Sequence, residues 1–176
     1  MIESANFARS RGVAGLTLII ILGMMTSMLI IVAKSVAFYN KISQEQRVVK
    51  NVNLIYPAFY DYFNTECSLS ASHSVTDPTL LNLSMLGYLN FQPSSVDNPI
   101  GTSFVLSIQR VTGVPTNLRL TTTFPTTKRA KRVLKRSTVG EVTFISPSTI
   151  QWDMSTITYR NIIDANSASY LHNECS

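Results

Sequence analysis

Between Val13 and Ala33 the chain carries no charged side chain; Thr17, Thr26, Ser27 and two glycines interrupt an otherwise apolar run. At about 1.5 Å of rise per residue, roughly 20 helical residues cross a hydrocarbon core of about 30 Å, so the run predicts a membrane-spanning helix. Beyond it, Val36, Tyr39, Ile42, Val49, Val52, Ile55 and Phe59 recur mostly at three- and four-residue steps, with Lys41, Gln44, Glu45, Arg47 and Lys50 between them. That is the period of an amphipathic helix. The pattern predicts one long helix from about Ala14 to Asn64, apolar all round at first and one-faced afterwards. Pro57 falls inside it, where a missing N–H bends the axis. Tyr56, Phe59, Tyr60, Tyr62 and Phe63 surround the bend, which marks the place where the helix docks onto a globular domain. The alternative is a helix that stops at Tyr56, followed by a short separate one.

The period then changes to two. Residues 68–77 are Ser/Thr-rich ahead of Pro78 and read as a loop; Leu80–Leu89 is dense in leucine and predicts a short helix; Gln92–Gly101, with Pro93 and Pro99, reads as a loop. Ser103–Val111 and Asn117–Phe124 alternate apolar with polar residues and are joined by Gly113-Val114-Pro115-Thr116, which predicts an antiparallel hairpin. Residues 128–136 can form two or three helical turns. Glu141–Ile145, Thr149–Trp152 and Thr156–Tyr159 predict short strands, with turns at Ser146-Pro147 and Asp153-Met154. The fold class is therefore α+β: a long N-terminal helix, transmembrane then amphipathic, packed on a small antiparallel sheet that must bury one face.

Composition sharpens this picture at three points. A chain of 176 residues has room for one anchor and one modest domain. A cleaved secretory signal competes with the anchor, but its apolar region is usually about 7–15 residues, shorter than this run. The net charge of +5 is local: Lys128, Arg129, Lys131, Arg132, Lys135 and Arg136 lie within nine residues without an acid, and the rest of the chain sums to −1. On a helical wheel Ala130, Val133 and Leu134 can face the domain while the cations cluster opposite. Such a patch could contact DNA or another polyanion, although it has little aromatic interleaving for base stacking. The bland alternatives are a solvated helix face or contact with an acidic neighbouring subunit.

The remaining candidate chemistry is sparse. Cys67 and Cys175 are too few and too far apart for a metal-binding spacing. In an exported domain such a pair joins, closing a loop of roughly 100 residues that contributes about 4–5 kcal/mol in the chain-entropy view; in a cytosolic domain both remain thiols. His73 and His172 fall in predicted loops without companion ligands, Glu141 and Asp153 are isolated acids without an assigned role, and Asn82-Leu83-Ser84 is a glycosylation sequon by pattern only. There is no phosphate-cradling glycine loop and no nucleophile elbow. The reading is a non-enzyme with no catalytic, cofactor or metal site.

Gly15-Leu16-Thr17-Leu18-Ile19-Ile20, ahead of a long helix and a β-rich domain, resembles the cleavage region of type IV pilins and of the pseudopilins of type II secretion. The resemblance implies a leader peptide over residues 1–15, cut after Gly15 by a prepilin peptidase that methylates Leu16; Arg11-Gly12 makes a cut between Gly12 and Val13 the alternative. It implies a long helix over 16–66, spanning the membrane over 16–33, and a globular domain over 67–176. It also places Pro57 near a proline kink of the family and Cys175 near its C-terminal cysteine. Where the family carries a glutamate that neutralises the N-terminal amine of a neighbouring subunit, this chain has Ile20. A buried amine without an acid partner is costly, so the replacement favours a minor or tip subunit over a major one.

The implied partners are other pilin subunits through the helix, the bacterial inner membrane before assembly, and the prepilin peptidase. The implied location is that membrane, with the C-terminal domain periplasmic, and then a pilus or pseudopilus. The charge rule points the other way, since Lys34, Lys41, Arg47 and Lys50 after the span outnumber Arg9 and Arg11 before it. The functional expectation is a minor pilin or pseudopilin that primes, caps or modulates filament assembly. The alternatives are a tip adhesin or DNA-uptake subunit, and a single-pass envelope protein unrelated to pili.

Overall fold

A computed structural model of the chain describes residues 3–70 and 74–156, with side chains from Gly15 on except that of Val114. Helix α1 runs from Glu3 to Leu69, starting ahead of the predicted Ala14 and ending past the predicted Asn64. It continues through Pro57 rather than stopping at Tyr56. The reason is local: Pro57 and Asn53 are both exposed, so the carbonyl deprived of its intrahelical donor faces the solvent side of the helix.

Internal contacts divide the chain into two units, Met1–Ser43 and Gln44–Ser176. In the first, every described side chain from Leu16 to Asn40 is exposed. This unburied stretch makes the helix long and apolar enough to cross a membrane. Its few hydroxyls do not disturb that property. Thr26 Oγ1 donates to the carbonyls of Leu22 and Gly23 at 3.0 Å, Ser27 Oγ to Gly23 at 2.8 Å and Ser35 Oγ to Ile31 at 2.9 Å. Each is satisfied within its own helix, which removes most of the cost of placing it in an apolar medium.

The second unit is built on the later turns of α1. Val48, Val52, Ile55, Tyr56, Phe59 and Phe63 are buried there and form the spine of the core. Helix α2 (Leu80–Met85) is capped by Thr79, whose hydroxyl accepts from the Asn82 amide; Leu80 and Leu83 enter the core. A one-turn helix α3 (Pro93–Val96) replaces the loop expected there, with its proline at the helix start, where no donor is needed.

Strands β1 (Val105–Val111) and β2 (Val114–Thr123) follow, then helix α4 (Thr127–Arg136), β3 (Glu141–Ser146) and β4 (Thr149–Ser155). They form one antiparallel sheet in the order β1-β2-β4-β3. Leu106, Ile108, Leu118, Leu120, Ile150 and Trp152 line its buried face against the α1 spine, so the long helix is packed on a small four-stranded sheet.

Two expected turns are displaced. The β1–β2 connection is Thr112-Gly113, with φ of 52° and 86°, and Val114–Thr116 already belongs to β2. Two consecutive positive φ angles match the right-handed strand twist, which a wider turn through Pro115 would not. Asp153-Met154 is not a turn but part of β4. Asp153 meets Arg119 across the sheet at 2.7 Å and Met154 pairs with Leu118, so the polar residue marks a half-buried cross-strand ion pair rather than a chain reversal. Of the strand expected at Thr156–Tyr159, residues 157–159 lie outside the described ones.

Candidate functional site

Helix α4 begins at Thr126, whose Oγ1 accepts from the Arg129 amide. Its apolar side packs inward through Ala130 and Val133, both 0% exposed, with Leu134 half-buried. At 100° per residue the six cations then separate by chemistry into two stripes. Lys128, Lys131 and Lys135 follow one line and are exposed; Arg129, Arg132 and Arg136 follow the next and are half-buried.

Two members of the arginine stripe, Arg132 and Arg136, face α1. Glu45, 1% exposed, accepts from Arg132 Nε at 2.7 Å and from Arg136 Nη1 at 3.1 Å, and Arg132 Nη2 approaches the first carboxylate oxygen at 2.6 Å. A buried carboxylate is tolerated only when its oxygens are paired, and here each oxygen has its own guanidinium. Both arginine side chains keep about a third of their surface in water, at 37% and 34%. Glu45 is thus a clasp fastening α4 to the long helix.

This changes the predicted polyanion patch. Arg132 and Arg136 are committed to Glu45, leaving Lys128, Arg129, Lys131 and Lys135. None of these four forms an ion pair among the described residues. Sequence reasoning places Glu45 with the polar residues of α1. The signal available is its register: Glu45, Val48, Val52, Ile55 and Phe59 lie three or four apart on one helical stripe.

A second polar feature lies under the sheet. The Tyr56 hydroxyl is buried and has no hydrogen-bond partner among the described residues. Burial pushes its pKa well above the ordinary tyrosine range, the nearby Asp153 carboxylate pushes in the same direction, and Arg119 opposes them.

The other expected positions are scattered. Gly15 and Leu16 lie on α1, with Leu16 63% exposed and open space around Gly15; Gly12 and Val13 lie on the same helix. Ile20 is exposed on it. Cys67 is disulfide-bonded, and its expected partner Cys175 lies outside the described residues, as do His73 and His172. Asn82 is exposed and serves the start of α2. Among the described residues no three His, Cys, Asp or Glu side chains gather in a way that could hold a metal ion. No protein-family model, no curated protein and no solved structure matches the chain.

Proposed function

We propose that this protein is a membrane-anchored subunit of a pilus-like filament, organised like a type IV minor pilin or a pseudopilin, which primes, caps or modulates assembly. One observation carries the reading. A single uninterrupted helix is apolar and unburied along Leu16–Ala33, yet becomes the buried spine of a β-domain from Val48 onward. An exposed apolar helix of this length is stable only in lipid or among other apolar helices. A helix that also carries a folded domain can serve both settings in turn, first bilayer and then filament.

Two further features support the same role. Gly23 and Ser27 lie in a shallow groove of α1 lined by Ile20, Met24, Met28 and Ile31, and small residues one turn apart let another helix approach closely. The disulfide at Cys67 suits a domain outside the cytoplasm, where such bonds persist. Ile20 supplies no acid for the amine of a neighbouring subunit, which suits a position with no subunit ahead of it.

The test is the mature N-terminus. Co-expression with a prepilin peptidase should yield a chain that begins with N-methylated Leu16, or with N-methylated Val13 if the cut follows Gly12. An intact Met1, or an unmethylated end left by an ordinary signal peptidase, would refute the proposal.

A further inference from the structure

The Glu45 clasp fixes how α4 presents its charge. With Arg132 and Arg136 turned inward to the carboxylate, the outward face of α4 is a row of three lysines at positions 128, 131 and 135. All three are exposed, and none meets an acid among the described residues. Helical rise places the outer two about 10 Å apart, so the ammonium groups form a short line rather than a single focus. A line of separate point charges suits an array of phosphates better than one bidentate ligand.

Three observations select the source of those phosphates. First, α4 is fastened to Glu45, and Glu45 lies only twelve positions after Ala33 at the end of the apolar run. Even a fully extended chain of that length reaches about 40 Å, so a membrane holding the run stays within tether range of the lysine row. Second, the chain between the run and the clasp adds only positive charge: Lys34 and Lys41 are exposed, and Glu45, the single acid between residues 4 and 60, is removed from solvent and neutralised. Third, the row lacks any aromatic side chain on which a base could stack.

We propose that the Lys128–Lys131–Lys135 face of α4 docks on the anionic phospholipid headgroups of the membrane that holds the anchor. Glu45 acts as the positioning residue that keeps the helix in that orientation. This rests on the reading of α1 as a membrane anchor. Each lysine close to an anionic bilayer adds its own attraction, and salt screens it. Docking would hold the β-domain at the bilayer surface until assembly lifts it away.

Lysine acetylation footprinting on the full chain tests this. The protein is reconstituted in nanodiscs of phosphatidylcholine alone, or with about one-third phosphatidylglycerol, and the modification rate of each lysine is read by mass spectrometry. With phosphatidylglycerol, Lys128, Lys131 and Lys135 should react at least about fivefold more slowly, and the protection should vanish in roughly 1 M salt. E45Q should weaken the protection while leaving insertion intact. Equal rates in the two lipids, with the protein inserted, overturn the docking proposal and leave the anchor standing. Protection that appears only when duplex DNA is added to phosphatidylcholine discs overturns it in favour of nucleic acid. Failure of the chain to insert at all overturns both readings.

Discussion

Glu45 occupies an inward-facing place on the stripe that Val48, Val52, Ile55 and Phe59 define, and it is held there by two arginines remote in sequence. The two sides of this clasp should not be equivalent. R132L/R136L strands a carboxylate that is 1% exposed, and should cost about 3–5 kcal/mol in a urea unfolding experiment. E45Q leaves two arginines that already reach water, and should cost less, about 1–3 kcal/mol. The reverse order would show that the clasp is not the main tie of α4. Tyr56 makes a different prediction. Its unpartnered hydroxyl gains nothing from burial, so Y56F should be neutral or more stable by up to about 1 kcal/mol at pH 7. Its folded pKa lies above the unfolded value of about 10. The folded state therefore keeps a proton that the unfolded state loses, and stability falls as pH rises past about 10. Unfolding followed from about pH 8 to 11 should show a shallower alkaline decline for Y56F than for the parent.

At the scale of elements, the long helix, the basic helix and the β3–β4 turn at Ser146-Pro147 are legible in the sequence, while the one-turn α3 and the β1–β2 turn are not. The amphipathic period over α1 and the apolar triplet Ala130, Val133 and Leu134 depend on spacing alone, and both helices form where that spacing places them. The β1–β2 turn depends instead on Thr112 and Gly113 taking positive φ, whereas local pattern makes Gly113 the start of a wider loop. Asp153 resembles a turn residue because its pairing with Arg119 lies across the sheet. Gly140 carries the entry to β3. Its φ is 67°, and an added Cβ would come within 2.5 Å of the Asp153 carbonyl oxygen. Neither the angle nor the backbone opposite can yield cheaply, so G140A should destabilise the domain by about 2–3 kcal/mol, measurable by thermal unfolding. An unchanged midpoint would mean that β3 shifts without consequence for the core.

At the scale of the whole molecule, contacts separate Met1–Ser43 from Gln44–Ser176. Among the described residues, every member of the buried core belongs to the second unit. A fragment starting near Phe38 should therefore remain soluble and unfold cooperatively, while the full chain floats with liposomes and resists alkaline extraction. Aggregation of the fragment without a cooperative transition would mean that the apolar run contributes to the domain's core. The proposed filament role draws on both units, since it needs an anchor able to change surroundings and a domain that does not depend on them.

The sequence by itself determined the apolar run, the long helix, the α+β class and the amphipathic basic helix, because each follows from the spacing of neighbours a few residues apart. It also held the cysteine pair and the Gly15-Leu16 junction as chemical possibilities. Only the tertiary structure decided the strand order, the path of β4 through Asp153, and the division of the six cations into an inward arginine stripe and an outward lysine row. The Arg119–Asp153 pair joins residues 34 apart and the Glu45 clasp residues 87 and 91 apart. The energy of a buried charge is set by what meets it in space, which no local pattern records.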